Sequence, residues 1–316
     1  MDFQTHLTIR QLRLLKVLGK ELNLRRAAEV LNSSQPAVSR SLMEIEAALG
    51  ARLFERSTRK VTVTPVGRNL IWHAERILGD LEQAQSDFQA LSRGAAGGLD
   101  VGVLRGFSPA VLADAVTLMN TRMPRIDIRF REGFVEDHVD NLEHGRVDLV
   151  LSHLELPSLS KQIVVDPLYE DSIGLLTSRK HPLARRKRVE WREIADYPWV
   201  APPVGTTVRL ALERMPLNLS LKKERRPMIE VTAPHFAVAV IRRNHDAIAA
   251  MPMQLARWFD AELGAAQCLR MESSLLTWPL YSARLRTRQI SDAARLFVDC
   301  LKTVAGAQAA ARSATA

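Results

Sequence analysis

Six residues in one short stretch carry the clearest potential for chemistry: Ser34, Gln35, Pro36, Ala37, Ser39 and Arg40. A glutamine amide donates and accepts at once, which lets it pair with a base edge, and an arginine fork can pair with guanine or with a phosphate. Serine hydroxyls suit phosphate oxygens, as do the free N–H groups at a helix start. Pro36 and Ala37 are small enough to allow close approach and can touch a thymine methyl. Held together on the first turn of a helix, such groups fit the major groove of duplex DNA. A second basic group, Arg56, Arg59 and Lys60, suits phosphates or a narrow A·T-rich minor groove.

The elements needed to hold these groups can be read around them. Apolar residues at 9, 12, 14, 15 and 18 form a helical stripe. Asn23 can cap a second helix over 24–31, whose inner face is Ala27, Ala28 and Leu31; adjacent alanines suit helices that cross closely. Ser33 or Ser34 caps a third helix, with Pro36 in its first turn, where a missing N–H costs nothing. That helix buries Val38, Leu42, Ile45 and Leu49, turns Gln35, Ser39 and Arg40 outward, and ends at Gly50. Residues 52–56 and 61–63 read as two short strands around a 57–60 turn, a hairpin of the kind called a wing. The 316-residue chain carries a net charge of +9. Through residue 68 there are 12 Lys and Arg against 6 Asp and Glu, so +6 of that excess lies in about the first fifth. Such a balance favours a polyanionic partner.

Thr64-Pro65 starts a long helix. Leu70, Ala74, Ile77, Leu81, Ala84, Phe88 and Leu91 follow at spacings of 4, 3, 4, 3, 4 and 3, an unbroken heptad seam. A seam this narrow predicts pairing with the same helix of a second chain; a helix lying on its own domain's core is the other reading. Arg93 to Gly98 is small and flexible, a linker. Beyond it strands and helices alternate. Strands are expected at 99–104, 126–130, 147–151, 172–177, 199–201, 228–231, 247–250 and 277–285. Helices are expected at 109–123, 136–144, 207–213, 234–243 and 290–304. Strands alternating with helices imply a parallel sheet covered by helices. Residues 307–316, mostly alanine, read as a disordered tail.

Other function classes lack their signals. There is no Gly-x-Ser-x-Gly, His-Glu-x-x-His, P-loop or Gly-x-Gly-x-x-Gly, so no catalytic residue, metal ligand or cofactor is expected and the chain reads as non-enzymatic. His144 and His153 flank a strand without a metal partner. Cys268 and Cys300 stand in apolar segments as buried free thiols. No secretory leader and no run of ~18 apolar residues is present, which points to a cytoplasmic protein with no membrane partner.

In the order Ala27-Ala28, Ser34-Gln35-Pro36-Ala37-Val38-Ser39-Arg40, Leu49-Gly50, Leu53-Phe54-Glu55-Arg56 and Thr64-Pro65-x-Gly67, the N-terminal third resembles the LysR-type transcriptional regulators. His181-Pro182-Leu183-Ala184 and Trp199-Val200-Ala201-Pro202-Pro203-x-Gly205-Thr206 resemble the family's second effector subdomain. The resemblance implies an α/β protein: a winged helix-turn-helix (residues 1–65), a dimerising linker helix and hinge (66–98), and an effector-binding domain (99–316). The last comprises two α/β subdomains of periplasmic-binding-protein type, one at about 99–166 plus 267–306 and the other at about 167–266. The chain should cross between them near 152–166 and return near 267–278. Promoter DNA, a small-molecule effector of organic-acid or sugar-like kind, and a homodimer or homotetramer are the implied partners, and RNA polymerase is a further one.

The effector is expected in the cleft between subdomains, at strand ends and helix N-termini, where free N–H groups favour an anion. Its candidate residues are Gly106, Phe107, Ser108, Ser152, His153, Gly205, Thr206, Thr207 and His235. The serine and threonines also suit plain helix caps. Two departures from the family pattern stand out. Asn23-Leu24-Arg25-Arg26 replaces a Ser/Thr-rich helix entry, and Arg242-Arg243-Asn244-His245-Asp246 replaces a Gly-rich stretch of the expected pocket wall. The run from Arg179 to Arg188 reads as a solvated basic loop, or as a contact to DNA or another subunit. An architectural DNA-binding protein without a ligand, or a cytosolic solute-binding module, are the alternative functions.

Overall fold

A computed structural model describes residues 7–56, 61–93, 97–153, 160–214, 228–272 and 276–313. Contacts divide the chain into two compact units, residues 1–93 with 143–146, and residues 94–142 with 147–316.

The first unit begins with α1 (Ile9–Glu21), opened by a reciprocal cap between Thr8 and Gln11 that the apolar stripe alone did not reveal. α2 (Leu24–Val30) is capped by Asn23, whose Oδ1 accepts from the Arg25 and Arg26 N–H groups at 2.9 and 3.1 Å. The asparagine therefore fills the role of the Ser/Thr entry it replaces. Asn32 takes a left-handed φ of 48° in the following turn, a conformation its short polar side chain tolerates. α3 (Gln35–Leu49) follows, capped by Ser34 and closed by Gly50. Ala27, Ala28, Val38, Leu42 and Ile45 are buried together with Leu15 and Leu18 in one core. Each large side chain buried there contributes about 1.5–3 kcal/mol. β1 (Phe54–Arg56) and β2 (Val61–Val63) pair antiparallel, and the 57–60 turn lies outside the described residues.

α4 (Pro65–Ser92) is a single helix of 28 residues. Its start is fixed by Thr64, whose Oγ1 accepts the Gly67 N–H at 2.9 Å and donates to the Leu53 carbonyl at 3.1 Å. Gly67 is held to glycine by that packing: a Cβ there would lie 2.1 Å from the same carbonyl oxygen.

The second unit is built on a nine-stranded mixed sheet. Its strands are β3 (Gly97–Leu104), β4 (Ile126–Gly133), β5 (Leu149–Ser152), β6 (Ile163–Thr177), β7 (Trp199–Ala201), β8 (Met228–Glu230), β9 (Ile248–Pro252), β10 (Gln267–Cys268) and β11 (Thr277–Leu285). The order is β4-β3-β5-β11-β6-β9-β7-β8, with β10 on β6. Helices α5 (Pro109–Arg122), α6 (Val135–Glu143), α7 (Trp191–Ile194), α8 (Thr207–Glu213), α9 (Pro234–Arg243), α10 (Met253–Arg257) and α11 (Asp292–Ser313) accompany it, and a π-helical turn, Trp258–Glu262, follows α10.

Three expectations are corrected here. The sheet is not wholly parallel: β11 runs antiparallel to β5 and β6, and β6 antiparallel to β9. The reason is β6 itself, a 15-residue strand that pairs with β11 from Ile163 to Ser172 and with β9 from Ile173 to Thr177. The chain therefore passes between the two halves of the sheet inside β6, at residues 172–173, and not in 152–166. At that passage the buried Asp171 carboxylate accepts the Ser172 N–H at 2.8 Å and the Gln254 N–H at the start of α10 at 3.3 Å. The third correction concerns the tail, which continues as helix through Ser313, as its alanine content favours.

Candidate DNA-reading helix and ligand cavity

The first turn of α3 places the predicted groups on one exposed face. Ser34, Gln35, Pro36, Ala37 and Arg40 are exposed, while Val38 and Leu42 anchor the opposite side at 2% and 0% exposure. Ser34 Oγ accepts the Ala37 N–H at 3.4 Å, which orders the turn and leaves the hydroxyl hydrogen to donate. Ser39 is half-buried, so it differs from the outward position expected of it. The wing is tied to α3 by Glu46, whose carboxylate accepts the Leu53 and Phe54 N–H groups at 2.8 and 3.1 Å. No motif pointed to Glu46. Arg59 and Lys60 lie outside the described residues, and so does the side chain of Arg56.

The heptad seam divides along α4. Ala74 is buried with Leu12 and Leu78, and Leu70 packs on the helix-turn-helix core, so these two positions serve their own unit and not a free seam. From Ile77 onward the seam is bare: Ile77 (51%), Leu81 (40%), Phe88 (70%) and Leu91 (59%) are exposed large apolar residues, and Ala84 between them is exposed as well.

In the second unit a cavity of about 300 Å³ opens at the ends of the strands. Of the effector candidates, Gly106, His153, Gly205 and Thr206 line it. Gly106 takes a left-handed φ of 91° facing Pro252, a backbone that favours glycine. His153 is held neutral by burial, which lowers its pKa to about 4. Thr206 Oγ1 donates to the Pro203 carbonyl at 2.7 Å, so this hydroxyl acts first on its own turn.

The other candidates do not form the wall. Phe107 is buried edge-on to Tyr169, with ring centroids 6.1 Å apart, because it belongs to the core. Ser152 is buried within β5 and opposite Tyr281, and His235 is exposed on α9. Ser108 at the start of α5 and Thr207 at the start of α8 carry buried hydroxyls with no hydrogen-bond partner among the described residues. Arg242 to Asp246 are exposed and absent from the wall, which β9 supplies instead through Ala250, Met251 and Pro252.

Sequence reasoning missed most of the apolar wall: Phe134 and Val135 after β4, Pro202 and Pro203 after β7, and Trp278. The usable signal was position, since several of these follow directly on a strand end. His181, singled out by motif, is structural. It is buried, accepts the Leu183 N–H at Nδ1 (3.0 Å) and packs on Tyr197. In the basic run, Arg179 pairs with Asp260 at 3.2 Å and Arg188 with Glu272 at 3.9 Å. Among the described residues no cluster of His, Cys, Asp and Glu could hold a metal ion, and no helix is long and apolar enough to cross a membrane.

Comparison with known families places this architecture. Residues 9–68 match the bacterial regulatory helix-turn-helix protein, lysR family, and residues 92–306 match the LysR substrate binding domain. The chain belongs to the LysR family of transcriptional regulators. As a LysR-type regulator it combines a DNA-binding helix-turn-helix with an effector-binding domain.

The HTH-type transcriptional regulator CfxR of Cupriavidus necator is 31% identical over 217 residues, 68% of this chain and 67% of its own. A protein named "Probable hydrogen peroxide-inducible genes activator" from Streptomyces viridosporus is 32% identical over 189 residues, and the match spans 60% of each chain. Among solved structures, full-length CbnR complexed with its target DNA superposes with a TM-score of 0.63 at 21% identity, covering 94% of this chain and 100% of that one. That likeness concerns the fold of a LysR-type regulator.

Proposed function

We propose that this LysR-type regulator reads promoter DNA with the first turn of α3 and is controlled by a small molecule held in the strand-end cavity. The observation that carries the reading is the exposed face of Ser34, Gln35, Pro36, Ala37 and Arg40, set on a helix whose other side is fully buried. Gln35 takes a base edge, Arg40 a guanine or phosphate, and Ser34 a phosphate. Arg56, Arg59 and Lys60 on the wing add sequence-independent attraction.

The active species is a homodimer joined through Ile77, Leu81, Ala84, Phe88 and Leu91 of α4, which presents two reading helices to two half-sites. The cavity favours a ligand-responsive regulator over an architectural DNA binder, which has no use for such a space. The chain carries out no catalysis.

Hydrogen peroxide, named for one relative, suits this chain poorly as a direct signal. Burial and the neighbouring Asp260 push the Cys268 thiol up to about 11, and burial raises that of Cys300 too. A peroxide sensor needs a readily formed thiolate.

Selection of bound duplexes from a random pool by the full-length protein tests the proposal. The expected product is a pseudo-palindrome with half-sites one or more helical turns apart, bound less tightly as salt rises. Recovery of no preferred sequence would refute it.

A further inference from the structure

We infer that the strand-end cavity accepts an uncharged, ring-bearing molecule with one hydrogen-bonding group, and rejects both carboxylates and sugars. This rests on the reading of the cavity as the effector site and narrows the ligand it takes.

The wall is built from Val135, Pro202, Val208, Val231, Met251 and Trp278, with further apolar neighbours. Its polar members, which include the Glu136 carboxylate and Thr232, offer an anion little. Thr206 is engaged with the Pro203 carbonyl, and His153 is neutral. Among the described residues the wall holds one cation, Arg105, which is exposed and stacks its guanidinium 4.6 Å over the Phe134 ring.

The N-terminus of α9 offers little. Pro234 has no N–H, and that of Phe236 goes to the Ala233 carbonyl at 3.0 Å. α8 is two turns long, and Thr206 before it makes no side-chain cap bond, its hydroxyl being given to the Pro203 carbonyl. A carboxylate would lose its hydration here without a buried cation to replace it. A sugar would bring several hydroxyls to a wall that can satisfy few of them.

An apolar ring fits on both counts. A cavity of ~150 Å³ takes benzene, so about 300 Å³ has room for roughly two fused rings. The Glu136 carboxylate, also in the wall, provides an acceptor for one hydroxyl substituent. The surroundings continue the same character. Phe134 in the wall (52% exposed), Val204 (68%) and Phe236 (55%) are exposed apolar residues, the last two next to or two positions from wall residues in the chain.

Calorimetric titration of the full-length protein with 2-naphthol, 2-naphthoate and D-glucose tests the inference. The expected result is binding of 2-naphthol at least tenfold tighter than 2-naphthoate, with no heat from glucose. Two cavity-filling variants, Ala237→Phe in the buried wall and Thr206→Phe at a less buried position, should each abolish 2-naphthol binding, and circular dichroism reports whether each folds. If 2-naphthoate or glucose binds as well or better, and either folded filling variant removes that binding, the ligand class is wrong while the cavity reading stands. If no probe binds, or binding survives in a folded filling variant, both fall.

Discussion

Replacing Gly67 by alanine isolates the contact that fixes the wing to the linker helix. An added Cβ would sit 2.1 Å from the Leu53 carbonyl oxygen and 2.9 Å from its carbon, where 3.4 Å is ordinary contact. The obstruction is backbone, so no side-chain rotation relieves it; α4 and the Leu53 peptide before β1 must part by about 1.3 Å, the difference between 2.1 and 3.4 Å. The same carbonyl accepts the Thr64 N–H at 3.0 Å and the Thr64 hydroxyl at 3.1 Å, so both bonds stretch with the movement. Overpacking of this kind costs up to about 3 kcal/mol. Alanine in a helix regains about 1 kcal/mol over glycine. The net loss is about 2 kcal/mol, roughly a thirtyfold shift in the local folding equilibrium. Hydrogen exchange of the Thr64 and Phe54 amides in the full-length protein reads it directly, and both should lose protection by about that factor. Unchanged or greater protection would mean that helix propensity decides this position, and the role assigned to the contact would be wrong.

Three further outcomes follow from the geometry. Leu81→Glu puts a charge in the exposed half of the seam and should reduce the sedimenting mass to that of one 35.4 kDa chain; an unchanged mass would refute a dimer joined through this seam. Cys268 should resist iodoacetamide near neutral pH and become reactive only as pH approaches its raised value of about 11, and hydrogen peroxide should leave DNA affinity unaltered. His153 should titrate near 4 by NMR. Its neutral form is favoured by folding, so stability should fall as pH drops from the ordinary histidine value of about 6.5 and level off below about 4. His153→Gln should flatten that slope, and an unaltered slope would assign the acid sensitivity elsewhere.

The sequence exposes the first unit well because its signals are local. Asn23, Ser34, Thr64 and Gly50 mark helix ends within a few residues of the bonds they make, and the 3.6-residue periodicity separates Val38 and Leu42 from Gln35 and Arg40. Glu46 was invisible because its partners lie seven and eight residues away on another element. In the seam, spacing alone could not show that Ala74 meets Leu12 whereas Ile77, Leu81, Phe88 and Leu91 stay exposed.

The second unit was legible as strands and helices but not as a sheet. Which strands pair is decided by contacts more than 100 residues apart, such as Ile163 with Leu285. The cavity suffered most from this. Short polar residues at strand ends drew the candidates, and Ser152 and Phe107 turned out to belong to the interior. The apolar wall that defines the space is assembled from separate loops and has no pattern along the chain.

Comparing Gln35→Ala with the unaltered protein decides whether the first turn of α3 reads sequence. Affinity for the selected duplex and for random duplex is measured at one fixed salt concentration. The expected loss on the selected site is about 1–3 kcal/mol, roughly five- to 150-fold, with random-sequence binding unchanged. Equal losses on both duplexes, or no loss on either, would contradict it.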